Sequence, residues 1–116
     1  MKIQEMLTAL CAAEEALDPV AVQKVYPKVN MTALKIQLNT SKYRSVQCKF
    51  GEVVFQSLDP AAGKGTVRAP LKRIYFHTIL TEKPHVDELI ATLTVVRSAQ
   101  RDQWQIDDAK YMLAPK

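Results

Sequence analysis

Arg73, Tyr75 and His77 are the residues of this chain whose types and spacing could act on a bound molecule. Set two apart, they share one face of any strand that contains them, because successive strand side chains point to opposite sides. A guanidinium, a phenol and an imidazole on one wall could hold an anion, donate to an oxyanion and move a proton, and a dry pocket strengthens each of these interactions. The opposite face of the same segment carries Lys72, Ile74 and Phe76. Ile74 and Phe76 are the better core residues, so the expected orientation turns them inward and leaves the trio as a surface ladder. The reverse orientation would make the trio a pocket floor. Tyr26, Tyr43, Trp104 and Tyr111 could line a ligand pocket; for Trp104 and Tyr26 core packing is the simpler role, since aromatics supply much of the buried area of small domains.

Other constellations carry less chemistry. His85 follows Pro84 in an expected turn and reads as a solvated loop residue. Asp107 and Asp108 are adjacent, so in a strand they face opposite sides and cannot attend one substrate together. The segment Asp59-Pro60-Ala61-Ala62-Gly63-Lys64-Gly65 lacks the spacing and the following helix of a phosphate loop. Cys11 and Cys48 fall in a helix and a strand, where each reads as a small buried apolar side chain; a bridge between them is the less expected alternative. Neither stands in CxxC or CxxH spacing, so no metal site is expected, and no cofactor is implied.

The elements that must position these residues change period once. Ile3, Met6, Leu7, Leu10, Ala13 and Leu17 recur at helical spacing, which predicts a first amphipathic helix over 3–17. Asp18-Pro19 pairs a good N-cap with a residue favoured at the first helical position, so a second helix follows through about Tyr26, with Val22, Val25 and Tyr26 inward. Asn30 can cap a third, from Met31 to about Asn39, with Met31, Leu34 and Leu38 inward. Beyond Ser41 the period becomes two: Val46, Cys48 and Phe50 alternate with polar residues, then Val53 and Phe55 resume after a bend at Gly51. A second strand is expected from Thr66 to about Ile79, with Pro70 marking a bulge or an edge position. A third runs from about Glu88 to Ala99, Arg101-Asp102 makes a turn, and a last strand centres on Trp104 and Ile106. The predicted fold is α+β: three amino-terminal helices packed on a strongly curved antiparallel four-stranded meander.

Composition agrees with one globular domain over 1–116. The chain is 47% hydrophobic and 24% charged, close to globular averages. Its formal charge of +4 is concentrated at Lys64, Arg68, Lys72 and Arg73 rather than in a tail. Nucleic-acid binders usually show a denser basic stripe interleaved with exposed aromatics, so a nucleic-acid partner is not expected. No apolar run reaches the ~20 residues that span a bilayer, and no basic-then-apolar leader is visible. The expectation is therefore no membrane insertion in this segment, with the compartment left open and the cytoplasm favoured.

In this frame several segments resemble the nuclear transport factor 2-like superfamily, including its SnoaL-like members. They are Leu17-Asp18-Pro19, the AVQKVYP helix of residues 21–27, the VQCKF strand of 46–50, and the terminal DQWQIDDAKY of 102–111. The resemblance covers nearly the whole chain and implies a cone in which a curved sheet wraps the helices. More narrowly, it looks like the small domains of this type appended to larger bacterial proteins. The resemblance also implies that enzymes of this shape keep an aspartate, histidine or tyrosine inside the cone, and that the sheet is a common dimer surface. Ile90, Thr92, Thr94 and Val96, opposite the core face of the third strand, are neutral and mostly β-branched, which suits a homodimer surface. The function expected is a non-catalytic association or ligand-binding module, its cone holding a small apolar ligand or nothing. The alternative is a small-molecule lyase, isomerase or hydrolase using His77 and a tyrosine.

Overall fold

The computed structural model describes residues 2–98 and 103–115. Its elements run α1 (Lys2–Glu15), α2 (Pro19–Val25), α3 (Met31–Gln37), β1 (Tyr43–Phe50), β2 (Val54–Asp59), β3 (Lys64–His77), β4 (His85–Ser98) and β5 (Gln103–Leu113). The expected turn at Arg101-Asp102 and the end of the third expected strand at Ala99 lie outside the described residues.

Local chemistry sets the helix boundaries. At the end of α1 the Leu17 N–H donates to Glu14 O and the Asp18 N–H to Ala13 O, which satisfies carbonyls the helix leaves open. Leu17 takes the left-handed φ of 55° usually left to glycine, and its side chain packs on the core. Asp18 then caps α2, its Oδ1 accepting from the Val20 and Ala21 N–H groups at 3.1 and 3.2 Å. Asn30 Oδ1 accepts from the Ala33 N–H and caps α3 in the same way.

The strands are antiparallel, in the order β1-β3-β4-β5, with β2 also on β3. The sheet therefore has five strands where four were expected, because the strand around Gly51 divides. β1 pairs with the second half of β3 and β2 with its first half, and Pro70 stands opposite the break. The Pro70 carbonyl accepts from the Gly51 N–H at 2.8 Å, so the position where proline has no donor faces the gap between the two strands. Near the following hairpin, Gly65 lies so close to β2 that a Cβ there would meet Leu58 Cδ1 and Ser57 O at 2.9 Å.

One face of the sheet is buried by α1. Val67 and Leu71 of β3, Ala91, Leu93 and Val95 of β4, and Ile106 of β5 meet Ile3, Met6, Leu7 and Leu10 of the helix, and Ala69 of β3 is buried on the same face. All these side chains are at most 5% exposed, which makes the narrow part of the cone a packed core. A register shift at Thr94/Val95 leaves Asp107 unmatched in the ladder, so Ile106 and Ala109 both reach the core side.

Cys11 and Cys48 are joined in a disulfide, which corrects the expectation of two separate thiols. The reason is tertiary: α1 lies across β1 and brings the two Cα atoms to 5.1 Å over a sequence separation of 37.

Candidate functional site

Past Leu71 the concave face of β3 continues as Arg73, Tyr75 and His77, so the expected surface ladder points into the cone. Arg73 is 7% and Tyr75 4% exposed, and His77 is half-buried. The parity of Val67, Ala69 and Leu71 carries on unbroken through 73, 75 and 77, whereas Ile74 and Phe76 lie half-buried on the convex face. That odd-numbered run was the signal available in the sequence; the apolar pair at 74 and 76 obscured it.

At the head of the site Arg73 meets Glu14 from the last full turn of α1. Nε donates to Oε1 at 2.7 Å and a terminal nitrogen to Oε2 at 2.9 Å, a bidentate pair with the carboxylate residue 2% exposed. Among the described residues these are the only buried charged side chains. Burial opposes the Arg73 charge, but the Glu14 carboxylate outweighs it and holds the guanidinium above its ordinary value. The Tyr111 ring centroid lies 5.0 Å from the Arg73 Cζ, so the cation also stacks on an aromatic face. Sequence reading passed over Glu14, although its spacing from Leu7, Leu10 and Leu17 puts it on the apolar stripe of the helix, the signal that could have found it.

Around the pair sits an aromatic wall. The Tyr75 hydroxyl accepts from Gln37 Nε2 at 2.9 Å, which ties α3 to the sheet. Burial pushes its phenol up to about 12. Burial also raises Tyr111, although 41% of that residue remains open to solvent. Tyr43 of β1 lies 5.0 Å from Tyr75 and 5.3 Å from His77, ring centre to ring centre. His85 begins β4 rather than sitting in a loop, faces Tyr75 in the register, and bonds Asp87 Oδ1 at 2.8 Å.

The four aromatics expected to share a pocket do not all converge. Tyr43 and Tyr111 flank the Arg73 site, and Tyr26 closes α2 and packs on the core. Trp104 instead lines an open groove of about 960 Å³ between α1, α2 and the start of β5, floored by Ala9, Ala12, Ala16 and Ala21. Asp107 pairs with Lys28 at 2.7 Å while Asp108 points to the exposed side, so the two carboxylates are separated as expected. No group of His, Cys, Asp and Glu among the described residues could hold a metal ion, and none of their helices is long and apolar enough to cross a membrane.

No family model and no curated protein matches the sequence. Solved structures do match its shape. A Novosphingobium aromaticivorans protein assigned provisionally as a scytalone dehydratase superposes with a TM-score of 0.80 at 13% identity, over 98% of this chain and 83% of that one. A nuclear transport factor 2-like superfamily protein from Salmonella enterica gives 0.74 at 9% identity, over 98% and 89%. Bd1075 of Bdellovibrio bacteriovorus gives 0.64 at 16% identity, with 98% of this chain matching 40% of a longer one. At these identities the likeness carries architecture alone. The three helices and the curved open sheet place this chain in the nuclear transport factor 2-like cone fold.

Proposed function

We infer that this chain is a non-catalytic association module that pairs with a second copy through the convex face of its sheet. The supporting observation is an apolar strip on that face, Pro70 beside Ile90 and Ile90 beside Met112, with a second patch of Ile74 beside Val86 beyond the Lys72–Glu88 ion pair. Met112 and Val86 are 57% and 48% exposed, large apolar side chains on the side away from the helices. Thr92, Thr94 and Val96 extend the strip along β4 with neutral side chains of low conformational cost. Inside the cone Glu14 and Arg73 are engaged with each other, which leaves neither as a free acid or base.

The charges on the face shape how two copies would meet. Arg44, Lys49, Lys64, Arg68, Lys72 and Lys110 outnumber Asp59, Glu88 and Asp108 there. A two-fold pairing can set Lys110 and Lys72 of one copy near Asp108 and Glu88 of the other, but the cation excess repels. Self-association through this face should therefore strengthen as salt screens it. Sedimentation velocity at low and high ionic strength is the test. A dimer that grows with salt and is lost in Ile90→Arg and Thr92→Arg, both still folded by circular dichroism, is the expected result. A monomer under all conditions, or a dimer indifferent to both substitutions, would reject the assignment.

The enzyme reading is favoured by one observation, the shared concave orientation of Arg73, Tyr75 and His77. It requires His77 to work beside a site whose cation is already paired. A small molecule retained by the wild type and released by both His77→Ala and Tyr43→Ala would favour that reading.

A further inference from the structure

The end of α1 is fastened to the sheet at one spot by three contacts. The Cys11–Cys48 bond joins helix to β1. Glu15 Oε2 accepts from the outward Cys48 N–H at 3.0 Å. Glu14 holds Arg73, which stands directly opposite Cys48 in the β1–β3 register. The covalent bond, the capped strand edge and the buried ion pair thus form one latch between α1 and the sheet.

We propose that Cys11–Cys48 is a reversible redox site, reduced by a dithiol in the folded protein, whose opening lets the last turn of α1 lift from β1 and uncovers the Glu14–Arg73 pair. Access favours Cys48: it is half-buried on a strand whose far side carries no other described strand, whereas Cys11 is 9% exposed. A dithiol thiolate attacks Cys48 Sγ, forming a mixed disulfide and releasing Cys11 Sγ as the leaving thiolate, which takes up a proton. The second thiol of the reductant then displaces Cys48 as a thiol and leaves as a cyclic disulfide. Two electrons and two protons have passed to the protein.

The consequence is local because the rest of α1 is held independently. Ile3, Met6, Leu7 and Leu10 are packed in the core through contacts that do not involve the bond, and these should hold the first part of the helix after reduction. The segment that loosens is the turn bearing Glu14 and Glu15, which lies between the core contacts of Ala13 and Leu17, so those two must shift with it. Lifting it removes the carboxylate from Arg73 and presents a guanidinium, beside Tyr111, to anions entering the cone. The site would therefore pass from a closed, internally neutralised state to an open, cationic one.

The test treats the wild-type protein with dithiothreitol in the absence of denaturant, traps thiols with iodoacetamide, and follows amide hydrogen exchange by mass spectrometry. Both cysteines should alkylate at a rate insensitive to low urea, with exchange on the order of tenfold faster in residues 12–17 and 46–50 and little change across β3 and β4. Removal of the reductant and reoxidation should restore the original pattern. A reduction rate that climbs with urea in step with global unfolding would show a purely structural bond and overturn the proposal. So would reduction that leaves exchange in the last turn of α1 unaltered. The Cys11→Ser/Cys48→Ser variant gives an independent check: it should fold and show the reduced pattern without dithiothreitol, and failure to fold would reject a reduced state that keeps its structure.

Discussion

Replacing Arg73 by methionine should be among the most damaging single changes in this chain. The substitution keeps most of the aliphatic stem but removes both hydrogen bonds to Glu14, whose residue is 2% exposed. A carboxylate left buried and unpaired costs about 3–5 kcal/mol, since neither water nor a counter-charge replaces what it lost. At an unfolding entropy of about 2.1 cal/mol/K per residue, a chain of 116 residues should then melt roughly 12–20 °C lower. Glu14→Leu should cost less than Arg73→Met, because the longer arginine can turn toward solvent while Tyr111 still covers one face of it. The double variant Glu14→Leu/Arg73→Met removes both charges and should recover to within about 1–2 kcal/mol of wild type. Urea titrations of all four proteins close the cycle, with an expected coupling of at least about 2 kcal/mol. Single variants that each lose under about 1 kcal/mol, or a double variant equal to the sum of the singles, would refute the argument that the pair is a mutually dependent part of the core.

Two further outcomes follow from the helix cap and the buried phenol. Asp18→Ala leaves the Val20 and Ala21 N–H groups without their acceptor and should cost about 1 kcal/mol, while Asp18→Ser should recover most of it. Tyr75 has a folded-state pKa pushed up to about 12 from 10.0, so its protonated form is favoured by folding. That preference leaves stability untouched below about pH 10 and erodes it between pH 10 and 12, by roughly 2–3 kcal/mol in all. Urea midpoints at pH 9 and pH 11 should therefore fall more steeply for wild type than for Tyr75→Phe, and parallel slopes would contradict a buried phenol.

The sequence by itself determined the class of every element it could describe. Asp18-Pro19 and Asn30 fixed helix starts because a capping side chain needs only the next three residues to act. The change of period after Ser41 separated helices from strands because strand and helix spacings are local properties of the backbone. Gly51 and Pro70 both flagged an irregularity in the sheet, and the structure shows that they mark the same break, seen from neighbouring strands.

Only tertiary structure decided which face of β3 looks into the cone, that Cys11 meets Cys48, and that Glu14 is the partner of Arg73. Each of these joins residues far apart in the chain, 37 positions for the cysteines and 59 for the ion pair. Alternation along β3 divides its residues into two sets with conflicting cues, since Val67, Ala69 and Leu71 favour the odd set and Ile74 and Phe76 the even one. That choice depends on where α1 lies, and α1 is placed by burying Ile3, Met6, Leu7 and Leu10 against the summed surface of three strands. Once the helix is seated, Glu14 is carried to the concave face, where Arg73 has its charge met. A polar residue can then stand at a core position that local hydrophobicity assigns to its neighbour.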